Sequence, residues 1–283
     1  MNNYTNIMTT DEFNLFRNLI HNESGIFIKE SRKDFLRTRI EKRLREQNIG
    51  SYFRYYKHVT DYKNKKELFN LLESVTINET YFFRNMPQFE ILKKKVLLDL
   101  LERKRKRGDF TLRLWSAGCA TGEEPYSIAI AATETIPDIS RWNLKIIGSD
   151  ISLRCLEIAQ SGIYHKEKLK DIPEQYLKNY FISTGEFYEM RDDIKRFVEF
   201  DYHNLKHENG IAEIDVIFCR NVLIYFNAEE QKRIITNFKR ILNEGGYLFL
   251  GHAESLQGIS NGDFKFVYSN KGAAYQKIER VHD

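Results

Sequence analysis

Cysteine is scarce and unpatterned. The chain holds three, Cys119, Cys155 and Cys219, with no CxxC spacing and no even framework. This excludes a disulfide scaffold and a structural zinc site, and it fits a reducing compartment. No stretch of 18 apolar residues occurs, and the N-terminal MNNYTNIMTTDEF lacks a basic-then-apolar leader. A cytoplasmic protein outside the membrane is therefore expected. Nucleotide signatures are missing too: neither GxGxxG nor GxxxxGK[ST] is present. There is no long Pro/Gly/Ser linker, no internal repeat and no low-complexity tract. No metal-ligating cluster stands out; His203 and His207 lie at i,i+4 but in an expected solvated loop.

What is present is a core-sized chain of 283 residues, 42% hydrophobic, with a net charge of +4 that is unevenly placed. Between Lys29 and Lys66 there are thirteen Lys and Arg against five Asp and Glu. Such asymmetry points to an acidic partner surface.

The chain is organised around residues 111–130, TLRLWSAGCATGEEPYSIAI. Leu112, Leu114 and Trp115 read as a buried parallel strand. A loop of small residues from Ser116 to Gly122 follows, including Gly118. A helix then starts at Glu123-Glu124-Pro125, with proline in the first turn. Strand, small-residue loop and helix bring backbone close to a nucleoside-like ligand. Acids in the first turn oppose a phosphate and favour a ligand with a cationic group. S-adenosylmethionine has adenosine, a positive centre and no phosphate. Asp150 ends the next apolar strand, 28 residues after Gly122, where an acid can hold ribose hydroxyls.

Residues 1–75 read as an all-helical basic domain. Thr9-x-x-Glu12 forms a capping-box pattern, Gly25 a stop, and helices follow from Ser31, from Ser51 and over about 64–75. On the second, Leu36, Ile40 and Leu44 form the buried stripe, with Lys42 and Arg45 opposite and Arg39 and Arg43 on the flanks. Residues 76–86, TINETYFFRNM, set Asn78, Thr80 and Arg84 among three aromatics, too apolar for a surface linker. They read as a connector that walls a site. A long helix from Pro87 to about Arg107 ends in a basic run expected to be solvated. Residues 163–203 break the α/β rhythm and read as a small antiparallel β-subdomain inserted in an α/β domain over 87–283. The rest alternates strand and helix and closes with a hairpin. The fold class is thus α/β, a doubly wound sheet with an antiparallel edge.

Four stretches then make the chain resemble a known family, the bacterial chemotaxis receptor methyltransferases (CheR): NETYFFR at 78–84, WSAGCATGEEPYSIA at 115–129, SDISLRCLEIAQSGIY at 149–164, and FCRNVLIYF at 218–226 with GGYLFLGHAES at 245–255. The resemblance implies S-adenosylmethionine-dependent methylation of glutamate carboxylates on receptors. It implies cofactor contacts at Asn78, Thr80, Arg84, Glu123, Asp150, Asn204, Leu205, Asn221 and Val222. It also implies Arg84 and Tyr225 nearest the reacting centre. Arg39, Lys42, Arg43 and Arg45 supply a cationic face for the Glu-rich helical bundle of a receptor, and the same resemblance implies receptor contact on this helix, with Arg39 and Arg45 matching family contact positions. A nucleic-acid methyltransferase is disfavoured because Arg220-Asn221-Val222-Leu223-Ile224-Tyr225 contains no [DN]PP[YF] run. A non-enzymatic cofactor sensor is opposed by the intact Arg84 and Tyr225. The short turn Ser183-Thr184-Gly185-Glu186 lacks the glycine-rich loop of members that hold a receptor tether peptide. No nucleic acid, no membrane insertion and a monomer are expected.

Overall fold

The computed structural model describes residues 8–170, 172–260, 262–269 and 272–279. The chain divides into two compact units, Met1–Ile77 with Tyr225–Glu230, and Asn78–Ile224 with Gln231–Asp283.

The first unit carries α1 (Thr10–Ser24), α2 (Lys33–Glu46), α3 (Tyr52–Thr60) and α4 (Lys65–Val75). Thr9 and Glu12 form the capping box, and Gly25 ends α1 at a positive φ of 77° that glycine adopts without strain. Phe13, Phe16, Ile20, Leu36, Ile40, Leu44, Tyr55, Val59, Leu71 and Val75 fill the core. Inside it sits a buried acid, Glu67. It accepts hydrogen bonds from Arg43 Nε (2.9 Å), Tyr55 OH (2.6 Å), Gln47 Nε2 (2.9 Å) and Asn70 Nδ2 (3.3 Å). Arg43, expected on the flank of the cationic face, therefore turns inward; a buried carboxylate needs a paired cation more than solvent needs another exposed one. The unit is completed by chain from far downstream. Ile26 pairs antiparallel with Phe226, and the Phe27 N–H donates to the Tyr225 carbonyl at 2.7 Å.

The second unit opens with α5 (Met86–Ile91), a π-turn over Leu92–Val96 and α6 (Leu97–Lys106). It continues through β1 (Thr111–Ala117), α7 (Glu123–Thr135), β2 (Asn143–Asp150), α8 (Leu153–Ser161), β3 (Ile163–His165), α9 (Glu174–Tyr180), β4 (Phe181–Thr184), β5 (Phe187–Met190) and α10 (Asp192–Lys195). The remainder is β6 (Val198–Tyr202), β7 (Ile214–Cys219), α11 (Ala228–Ile241, whose first three residues group with the first unit), β8 (Leu242–Leu250), β9 (Phe264–Ser269) and β10 (Gly272–Lys277). The main sheet runs β6-β2-β1-β7-β8-β10-β9. Its first five strands are parallel and the β9–β10 hairpin is antiparallel. Every residue of β7 is buried, and Phe218 stacks on Phe249 of β8 with ring centroids 4.3 Å apart. The small sheet β3-β5-β4 is the inserted subdomain.

Two expectations are corrected here. β6, placed with the insert, is instead the parallel edge strand of the main sheet. Its outward-facing Glu199 and Asp201 gave it the look of a hairpin, because an edge strand meets solvent. The basic run that ends α6 is not simply solvated. Arg103 binds Asp99, Lys104 binds Asp109 and the buried Asp215, and Arg105 binds Asp138. Among the described residues no helix is long and apolar enough to cross a membrane.

Candidate functional site

The site forms at the carboxyl ends of β1, β2, β6 and β7. After β1 the chain turns sharply, with positive φ at Gly118 (83°), Ala120 (46°) and Gly122 (92°). A side chain at Gly118 would place Cβ 2.5 Å from Val222 Cγ2, and one at Gly122 would lie 2.7 Å from Ala159 Cβ. The two glycines therefore answer both to backbone conformation and to close approach. Asp150, at the tip of β2, clamps this loop. Its Oδ2 accepts the Ala120 N–H (2.8 Å) and its Oδ1 the Ser152 N–H (2.9 Å). The Asp150 carbonyl accepts the His203 N–H at 3.0 Å, which brings Asn204 and Leu205 to the same edge. His203 itself is buried against Trp115, contrary to the solvated reading, and burial pushes its imidazole down to about 4.

The two acids that open α7 part ways. Glu123 is fully buried; its Oε2 accepts from Thr121 Oγ1 (2.6 Å), while its Oε1 has no hydrogen-bond partner. Burial pushes its carboxyl above the ordinary value, against the opposing pull of Thr121 and Lys168. The Lys168 ammonium stands 3.7 Å from Oε1 and also donates to the Thr80 carbonyl at 3.4 Å. A buried carboxylate with an open acceptor, already attended by an ammonium, suits a ligand amino group. Glu124, expected to serve the same cation, is committed elsewhere. Its Oε1 takes Ser116 Oγ (2.7 Å) and its Oε2 takes Arg220 Nη1 (3.1 Å).

Arg220 had no assigned role in the sequence, and no local pattern reveals it, since its partner is 96 residues away. Its guanidinium is buried, lies 5.8 Å over the Phe89 ring and donates through Nη2 to the Arg84 carbonyl. It thus ties the loop after β7 to α7 and to the connector. The connector's aromatics are packed as its composition implied. Phe82 meets Tyr164 and Phe181 edge-on, Phe83 meets Phe89, and the Phe83 N–H donates to Ser127 Oγ at 2.9 Å. Arg84 is half-buried, donates through Nη1 to the Glu79 carbonyl (3.0 Å) and lies 5.7 Å over the Tyr81 ring.

Gly118, Thr80, Glu123, Asp150, Asn204, Leu205, Asn221, Val222 and Arg84 thus all sit in or beside one region of the α/β unit. Asn78 begins that unit, and Tyr225 falls in the segment grouped with the helices. On α2, Lys42 and Arg45 are exposed and Arg39 is half-exposed over the Phe35 ring at 5.1 Å.

A mostly parallel sheet with a glycine-turned loop after the first strand, an acid at the tip of the second and a buried carboxylate at the next helix start defines a class: an S-adenosylmethionine-binding α/β domain of the methyltransferase type. Sequence comparison narrows it. Residues 78–273 match "CheR methyltransferase, SAM binding domain" and residues 11–76 match "CheR methyltransferase, all-alpha domain". The chain belongs to the CheR methyltransferase family. It is 35% identical to chemotaxis protein methyltransferase 2 of Vibrio cholerae, over 90% of this chain and 89% of that protein. It is 35% identical to the chemotaxis protein methyltransferase of Salmonella typhimurium, covering 85% and 82% of the two chains. The Escherichia coli protein of the same name is 34% identical, covering 87% and 85%.

Proposed function

We propose that this protein is a protein-glutamate O-methyltransferase acting on chemotaxis receptors in the cytoplasm. The observation that carries the reading is Glu123, a buried carboxylate whose Oε1 lacks a hydrogen bond and faces an ammonium at 3.7 Å, in a chain of the CheR family. When bound, S-adenosylmethionine supplies a methyl group activated by its sulfonium. Glu123 takes the amino group of that cofactor, and Asp150 takes its ribose hydroxyls. Asn78, Thr80, Asn204, Leu205, Asn221 and Val222 surround it, as the family resemblance implies, beside Gly118 of the small-residue loop.

The acceptor makes small demands. A glutamate carboxylate has an ordinary pKa of about 4.3 and is ionised at neutral pH, so no general base is needed. The protein's task is alignment. Arg84, braced by Glu79 and Tyr81, offers paired N–H groups that orient a carboxylate without covalent involvement. Tyr225 hydrogen-bonds the acceptor in this reading. Arg39, Lys42 and Arg45 steer the acidic helical surface of a receptor; Arg43 is turned to Glu67 and Glu46 instead. The turn between β4 and β5 spans just Gly185-Glu186, which favours recognition without a tether peptide.

The test uses methyl-labelled S-adenosylmethionine with receptor-containing membranes, followed by mild base. Release of the label as methanol supports a carboxyl ester. Retention of the label after base means N- or C-methylation and overturns the proposal.

A further inference from the structure

The loop leaving β7 wraps around a carboxylate contributed from beyond β8. Glu254 Oε2 accepts the N–H groups of Asn221 (2.8 Å) and Gly251 (2.6 Å). Its Oε1 accepts those of Val222 (2.9 Å) and Ile224 (3.3 Å). Four main-chain donors converge on one side chain. Consecutive amides that point the same way form a concave anion site, and here the anion is part of the protein.

The loop depends on it. Asn221 holds a left-handed φ of 60°, and without an acceptor its amide and that of Val222 would lose their partner. Close approach is built in at Gly251, where a Cβ would lie 2.6 Å from Glu254 Oε2 and 2.8 Å from the Asn221 nitrogen. On its other side the loop presses Val222 onto Gly118, at the 2.5 Å clearance that excludes any Cβ there. The geometry points to Glu254 as a positioning residue for the cofactor site: an internal anion that sets Asn221 and Val222 against the glycine loop. This rests on the proposed cofactor role of Asn221 and Val222.

The substitution Glu254→Gln keeps the size but turns an amide NH2 toward N–H donors. Glu254→Asp keeps the charge but withdraws it by one methylene. The full-length wild type and both variants are compared for S-adenosylhomocysteine affinity by calorimetry, for steady-state kinetics, and for amide exchange at 221–224 and 251. With Gln the dissociation constant and the KM for S-adenosylmethionine rise about tenfold or more, kcat stays within about threefold, and exchange quickens at Asn221, Val222 and Ile224. Asp falls between Gln and the wild type. A purely structural role would lower the melting temperature without separating KM from kcat. Unchanged exchange overturns the positioning role, and so does quickened exchange with affinity held within twofold of the wild type. Should the Gln chain not fold, Gly251→Ala retains the Glu254 carboxylate but crowds both its Oε2 and the Asn221 nitrogen, and the same rise in dissociation constant is expected. A wild type that binds no S-adenosylhomocysteine refutes the cofactor reading instead, and is told apart because it fails before any substitution.

Discussion

Glu123 is a carboxylate kept from water with one oxygen left to bond, and its behaviour with pH follows. Burial raises its folded pKa, so on acidification it takes up a proton before an exposed glutamate would. A cationic amino group binds only the ionised form. S-adenosylhomocysteine affinity should therefore weaken as pH falls through that raised value, and Glu123→Gln should flatten the profile while weakening binding about tenfold at neutral pH. Calorimetry across pH 5–8 checks both, the range being chosen to span the region roughly above an ordinary carboxylate pKa. Arg84 calls for the opposite pattern. Arg84→Ala should lower kcat about a hundredfold, the scale of a misaligned acceptor, with the dissociation constant of the cofactor product nearly unchanged. Equal losses in both would make Arg84 a binding residue only.

At the scale of elements, Glu67 joins α2, α3 and α4 through Arg43, Gln47, Tyr55 and Asn70. Burial alone would raise its pKa, but the hydrogen bonds from Arg43, Tyr55 and Asn70 outweigh it and hold the carboxyl below the ordinary value. Its stabilising contribution is thus complete above the unfolded carboxylate pKa and is lost as pH drops through the lower folded one. Glu67→Ala leaves Arg43 without its buried partner and should destabilise the fold by about 3–5 kcal/mol, measured by thermal or urea unfolding. The same network marks where sequence stops being legible. Helical periodicity placed Leu36, Ile40 and Leu44 inward, and caps placed the ends of α1, because those signals are local. Arg43 on the flank could turn either way, and the acid that decides lies 24 residues on. Glu123 and Glu124 look equivalent in the sequence; only Arg220, brought across by β7, separates them. Of the candidate site, the glycine loop, the acid pair at the helix start and Asp150 were readable from residue type and spacing, while the choice of Glu123 over Glu124 came only from the family resemblance. Lys168, Arg220 and Glu254 were not, since each acts through a partner remote in the chain.

For the whole molecule, charge is placed rather than merely present. Three of the α6 cations, Arg103, Lys104 and Arg105, are spent on Asp99, Asp109, Asp138 and Asp215, while on α2 Lys42 and Arg45 are exposed. Exposed ion pairs contribute only about 0.2–1 kcal/mol each, so reversing Arg39, Lys42 and Arg45 to Glu together should cut kcat/KM for receptor about tenfold or more. Product affinity should stay the same, and the wild-type rate should fall with added salt. Receptor methylation that is indifferent to the triple reversal refutes the assignment of this face. The pairing of Ile26 and Phe27 with Tyr225 and Phe226 reaches further. A ribosome delivers α1 to α4 early, but the short segment that pairs with Ile26 and Phe27 is translated about 150 residues after α4. The helical unit must therefore wait, incomplete, until most of the α/β unit has emerged, and a fragment cut at residue 77 carries an open edge where the finished protein has a seam.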